Sequence, residues 1–163
     1  MQPRRPPFAD PTLDYMTACG PLQARIRDVL TQLAGFAFLL ATRRGRSAPP
    51  AGPLDLARTE AAALAEELAA LRPPGEAAHH FHHLSAAAEA LGRSVRLGYA
   101  CLAAGAGEVD RDGLTAALRA ATDHLRATAR LLPGFELVDL RQACCAAHLP
   151  PPALSCTVAN GRI

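Results

Sequence analysis

The chain has 163 residues and a formal net charge of +2, and all 17 of its basic residues are arginine. This length suits one domain, and a charge so close to zero argues against a nucleic-acid-binding protein. The most apolar run, residues 33–41, is too short to cross a membrane. Five cysteines without CxxC spacing argue against a disulfide framework or a zinc ribbon, and they favour a reducing cytoplasm.

The composition is rich in alanine, leucine, arginine and glutamate, while aromatic residues make up only 4% of the chain. Such a composition predicts an all-α protein. The lack of lysine indicates a GC-rich, bacterial genome, which concerns codon usage and not function. The first eleven residues lack the apolar segment of a secretory signal.

The N-terminal part of the chain predicts an arm followed by one or two helical segments. Residues 1–10 are rich in proline and arginine, which predicts a disordered arm. The Asp-Pro pair at residues 10–11 is typical of a helix start, with Asp as the N-cap and Pro in the first turn. The Gly-Pro pair at residues 20–21 is expected to end or kink this segment, and a strong amphipathic helix follows over residues 22–42.

A linker is predicted after this helix, because residues 42–53, TRRGRSAPPAGP, contain glycine and three prolines. Its arginines Arg43, Arg44 and Arg46 have the charge to contact a phosphate or an acidic partner. The dipole of the preceding helix and solubility explain them more simply. A second helix is predicted over residues 53–71.

The longest helical pattern runs from Glu76 to Ala104 and carries four of the six histidines. Its apolar positions recur at steps of three and four, which places them within one sector of about 100° facing other helices. These positions are Phe81, Leu84, Ala88, Leu91, Val95, Gly98 and Leu102. The pattern predicts a central helix with a buried seam.

Helical geometry divides the histidines of this segment instead of gathering them into one site. His80 lies close to the buried seam and His83 on its flank, whereas His79 and His82 point outward. His124 lies on the flank of the following helix, where a boundary histidine without a role is the simplest interpretation.

The rest of the chain completes the predicted fold. A helix from about residue 110 to 132 repeats the same apolar spacing, and a shorter helix is predicted over residues 138–148. Matched seams joined by short breaks predict an all-α, four-helix up-and-down bundle with an additional short C-terminal helix. The predicted single domain covers residues 11–149, and residues 150–163 form an irregular, proline-rich tail.

Two features of the central helix suggest metal binding as an alternative function. His79 and His83 are four residues apart, and His79 and His82 are three apart, so either pair has the spacing to chelate a divalent ion on one helix face. Glu76 and His79 have the Glu-x-x-His spacing of di-iron bundles, but that fold needs a second such motif and two further inward glutamates. No dedicated cofactor is therefore expected.

The run HHLSAAAEALG resembles the motif of the histidine-containing phosphotransfer family, which is broadly H-x-L-K-G-x-[small]-x-x-L-G. The matching positions are His82, Leu84, Ala88, Leu91 and Gly92. The resemblance covers the central helix and, loosely, the helix after it, and implies His82 as phospho-acceptor. The chain departs from the motif at Ser85, where the family has lysine, and at Ala86, where it has glycine.

A cysteine nucleophile is the third chemical option, because Cys144 and His148 have i,i+4 spacing and Cys145 is adjacent. The position of these residues towards the end of a short helix argues against a lowered thiol pKa. No phosphate-binding glycine loop or nucleophile elbow occurs in the chain.

The sequence therefore favours a small cytoplasmic bundle that acts by protein–protein interaction, in a regulatory or adaptor role, and not as an enzyme. We expect a protein partner or self-association, without nucleic acid, membrane or small-molecule substrate. The predicted binding surface is the outer side of the central helix, formed by His79, His82, Ala86 and Arg93.

Overall fold

Four α-helices build the computed structural model over the residues that it describes, which are 10–42, 51–103 and 108–135. They are α1 (Asp10–Thr42), α2 (Gly52–Ala70), α3 (Ala78–Leu102) and α4 (Glu108–Leu131), and a short 3-10 helix, Gly75–Ala77, leads into α3. The described ranges contain no strand, so the all-α prediction is confirmed. The predicted helix over residues 138–148, the C-terminal tail, the linker arginines and the first nine residues lie outside the described residues.

Helix α1 continues through Gly20 and Pro21 as one helix of 33 residues, so the Gly-Pro pair does not end it. Proline removes one backbone donor and crowds the preceding turn, which normally kinks or ends a helix. Here Cys19 and Leu22, on either side of the Gly-Pro pair, are both buried in the core. We infer that burial on both sides of the proline outweighs the lost hydrogen bond.

Helices α1 and α3 form the centre of the packing. Each of them contacts all three other helices, whereas α2 and α4 do not contact each other within the described ranges. The predicted seam of α3 is buried at Leu84, Ala88, Leu91, Val95 and Gly98. Phe81 and Leu102 at its ends are half-buried and pack against the same core.

At Gly98, α3 lies close to side chains of both α1 and α2. A Cβ atom at this position would lie 2.8 Å from Leu54 Cδ2 and 3.5 Å from Phe36 Cε1. Leu54 and Phe36 are themselves buried. The missing side chain is therefore what allows the three helices to meet here.

Charged side chains join α1 to α2 at the surface. Arg25 on α1 forms ion pairs with Glu60 and Glu67 on α2, and its Nη1 donates to both Glu67 carboxylate oxygens at 2.7 and 2.8 Å. These hydrogen bonds raise the pKa of the Arg25 guanidinium. The pairs connect the middle of α1 to the second half of α2.

A buried polar group fixes the start of α3 against α1. His80 is 1% exposed, and its Nδ1 lies 2.9 Å from the Tyr15 hydroxyl. The His80 ring also packs against Phe135, with the ring centroids 4.4 Å apart. Burial, with a smaller contribution from the charge of His83, lowers the pKa of His80 to about 4. The imidazole is therefore neutral near pH 7, as its predicted inward position requires.

Candidate functional site

An open groove with a largely apolar lining lies between α2 and α3. Its cavity volume is about 860 Å³. About half of its lining residues are small, namely Ala61, Ala62, Ala65, Ala69, Ser85, Ala88 and Gly92. Because alanine, serine and glycine side chains do not fill the space between two helices, their accumulation on facing turns leaves a trough.

The groove extends along most of α3. Phe81 lines it near the start of α3 and Tyr99 near the end, 18 positions later. At 1.5 Å per residue this separation corresponds to about 27 Å, or five helical turns. Leu68 and Val95 contribute buried apolar surface to its floor.

One end of the groove is held by a polar contact between α2 and α3. The Tyr99 hydroxyl donates to the Asp55 carboxylate, which raises the pKa of Tyr99. Arg58 lies over the Tyr99 ring, 5.6 Å from its centroid, and forms an ion pair with Asp55 at 3.3 Å. The charge of Arg58 is thus largely compensated by a neighbour.

The rim of the groove on α3 is different, because its two arginines lack such a neighbour. Arg93 and Arg96 are exposed, line the groove, and form no ion pair with any residue in the described ranges. Glu89 lines the same rim but pairs with neither of them. The rim therefore carries a net positive charge beside an apolar floor.

A second depression, between α1 and α4, has a volume of about 640 Å³ and a more polar lining. Thr115, Arg119, Thr122 and Asp123 contribute to it, and Asp123 pairs with Arg126 at 3.2 Å. It presents less apolar surface to a ligand than the groove does, and its lining carries two arginines, Arg119 and Arg126, with the single carboxylate of Asp123.

Of the predicted binding surface, only Arg93 belongs to the groove. His79 and His82 are exposed and Ala86 is half-buried, but none of the three lines it. The binding surface predicted from the sequence lies on one face of the central helix alone and lacks the contribution of α2. The available signal was the alanine-rich run EAAALAEELAA at residues 60–70, which has more alanine than a buried seam requires.

The structure adds His124, on α4, to the pair of His79 and His83 that the i,i+4 spacing had already singled out. His83 Nε2 lies 3.1 Å from His79 Nε2, and His83 Nδ1 lies 2.9 Å from His124 Nδ1 on α4. We call these residues the histidine chain. Burial lowers the pKa of His83, and the charges of His79, His124 and His82 lower it further. His83 therefore favours the neutral form, which has one donor and one acceptor nitrogen.

The other predicted chemical residues are placed as follows. His82 is exposed, with its ring edge-on to His83 at a centroid distance of 5.3 Å, and its role as phospho-acceptor stays a prediction. Cys144, Cys145 and His148 lie outside the described residues. Within the described residues, no group of three or more His, Cys, Asp or Glu side chains is arranged to hold a metal ion.

Comparisons with known proteins found no match from which a function could be taken. No protein-family model matches the chain, and neither a curated protein nor a solved structure is detectably similar to it. None of the four helices, over the residues described, combines the length and apolarity that spanning a bilayer requires.

Proposed function

We propose that this chain is a protein-interaction module, regulatory or adaptor in role, that binds an amphipathic helix of a partner in the groove between α2 and α3. The partner helix presents an apolar face to the alanine-rich floor and acidic residues to Arg93 and Arg96. The observation that carries the proposal is this open apolar groove with two arginines that have no carboxylate partner in the described residues.

The shape of the groove supports a helical ligand. A length of about 27 Å matches a helix of about 18 residues. Small residues at the floor, such as Ala65 and Gly92, allow another backbone to approach closely, as they do in helix–helix packing. Binding of an amphipathic helix in an apolar groove is a recurring recognition mode, with anchors at i, i+3, i+4 and i+7.

The charge of the rim supports an acidic ligand. An exposed ion pair contributes about 0.2–1 kcal/mol, so Arg93 and Arg96 together add modest affinity. Their larger effect is on orientation and on the exclusion of basic helices, because like charges oppose each other across an interface.

Three further properties of the protein are proposed mainly from its sequence. We propose that the protein is cytoplasmic, on the grounds of its cysteine spacing, and that it does not catalyse a reaction. We also propose the up-and-down order of helices. Contacts of Phe36 and Leu54 with Gly98, of Arg25 with Glu67, and of His83 with His124 support it.

The test uses the full chain and two designed 18-residue peptides. Both have leucines at i, i+3, i+4 and i+7, and one carries glutamates where the other carries lysines. Fluorescence anisotropy should show that the glutamate peptide binds about 10-fold more tightly or better, which corresponds to about 1.4 kcal/mol. Equal affinity of the two peptides would contradict the proposed role of the rim.

Two tryptophan substitutions at exposed alanines separate the groove from the rest of the surface. Ala65→Trp places a large side chain in the groove and should lower the affinity for the glutamate peptide about 10-fold or more. If the partner is a second copy of the chain, the same substitution should disrupt the dimer. Ala116→Trp, on α4 and outside both depressions, is the matched control. If Ala65→Trp changes neither peptide affinity nor light-scattering mass, the groove is not the binding site.

A further inference from the structure

We propose that His79 and His83 form a binding site for a divalent transition-metal ion of the copper, nickel and zinc group, with His124 as the residue that positions His83. This site lies outside the groove, so it stands independently of the function proposed above.

The distance between two ring nitrogens fits a shared metal ion. The Nε2 atoms of His79 and His83 are 3.1 Å apart. Metal–imidazole bonds are about 2.0–2.1 Å long, so two nitrogens on one ion lie about 2.8–3.4 Å apart in octahedral or tetrahedral geometry. The i,i+4 spacing on α3 holds both rings on one side of the helix, with their centroids 4.8 Å apart. The two nitrogens therefore already converge at chelating distance.

His124 gives the site a feature that a chance pair of surface histidines lacks. Its Nδ1 lies 2.9 Å from Nδ1 of His83. When His83 donates its Nδ1 proton to His124, its Nε2 lone pair faces His79 and accepts the Nε2 proton of that ring in the metal-free protein. An ion takes the place of this proton, and His79 then binds it as the tautomer protonated on Nδ1. A metal-binding histidine is typically oriented in this way, by donating its second nitrogen to a neighbouring acceptor. The contact also comes from another helix, so the rotamer of His83 is fixed by tertiary packing.

The class of ion follows from the donor atoms. Two imidazole nitrogens suit copper, nickel and zinc, whereas magnesium and calcium prefer oxygen ligands. The described residues supply no third ligand to this pair. Water would complete the coordination, and the exposure of His79 lets the ion enter from solvent.

Calorimetric titration of the full chain, free of any histidine tag, with nickel, copper or zinc salts tests the proposal. We expect one ion per chain, and at least 10-fold weaker binding in His79→Gln and in His83→Gln. His82→Gln is the matched control, because His82 is exposed on the same helix and its nitrogens take no part in the histidine chain. Binding that is absent in the wild type, or equally weakened by His82→Gln, would overturn the site.

His124 provides a readout that distinguishes positioning from ligation. His124→Phe should lower the affinity for the metal ion about 10- to 100-fold. In His124→Asn the amide oxygen takes the place of Nδ1 as acceptor, so most of the affinity should return. The electron paramagnetic resonance spectrum of the copper-loaded wild type should show two coordinated nitrogens, and His124→Asn should keep both. If the asparagine variant binds no better than the phenylalanine variant, the positioning role is wrong.

Discussion

A pair of glycine substitutions on α3 tests the close approach of the helices. Gly98→Ala and Gly92→Ala introduce the same methyl group on the same helix, and each gains about 1 kcal/mol of helix propensity. At Gly92 the nearest atom to the new Cβ is Arg96 Nη1 at 3.9 Å, which is an ordinary contact. We therefore expect Gly92→Ala to stabilise the protein by about 0.5–1 kcal/mol.

Gly98→Ala meets a different environment. Its Cβ would lie 2.8 and 3.3 Å from the two terminal carbons of Leu54, whereas carbon atoms prefer about 3.5–4.0 Å. Leu54 is 0% exposed, so its side chain can relieve this contact only by repacking within the core. Overpacking costs about 1–3 kcal/mol, and this should be the difference in unfolding free energy between the two variants, because the propensity gain cancels.

Urea denaturation followed by circular dichroism measures both variants. A double-mutant cycle with Leu54→Ala adds a second check, since this change alone should cost about 2–5 kcal/mol and less in the Gly98→Ala background. Equal stability of Gly98→Ala and Gly92→Ala would refute the reasoning. It would mean that a methyl group at position 98 meets no close contact with Leu54, so α2 would not approach α3 closely there.

Two further predictions concern pH and salt. The pKa of His80 is about 4 in the folded protein and about 6.5 in the unfolded chain, so the unfolded state binds the proton more strongly. The contribution of His80 to the free energy of unfolding should be fully present above pH 6.5. The free energy of unfolding should then decrease by up to about 3 kcal/mol as the pH falls to 4. Urea titrations of the wild type and of His80→Gln over this pH range, with a chelator present, measure this loss of stability. An equally steep decrease in His80→Gln would show that other titrating groups cause it. Arg25→Ala removes the ion pairs with Glu60 and Glu67 and should cost about 1 kcal/mol or less, since all three side chains are partly exposed. The loss should shrink in 1 M NaCl, and a loss that is independent of salt would point to packing of the arginine stem instead.

The apolar period of the sequence predicted local structure well. The spacing of Leu84, Leu91 and Val95 identified the buried face of α3, and His80 was placed inside for the same reason. These predictions succeed because the rotation between two residues on one helix depends only on their separation in sequence.

Features that depend on two helices could not be predicted in this way. His83 meets His124 only because of the register between α3 and α4, which no period within either helix determines. The groove likewise needs the alanines of α2 opposite Gly92. The sequence left open whether Pro21 ends or only kinks the helix for a related reason, because this depends on how other helices bury its neighbours.

The most direct measurement of the central claim is a nuclear magnetic resonance titration of the ¹⁵N-labelled full chain with the glutamate peptide. The account predicts that amide shifts change along the groove, at Ala62, Ala65, Gly92 and Arg96, and that Ala116 on α4 stays unchanged. Shifts confined to α4, or no shift at millimolar peptide, would contradict it.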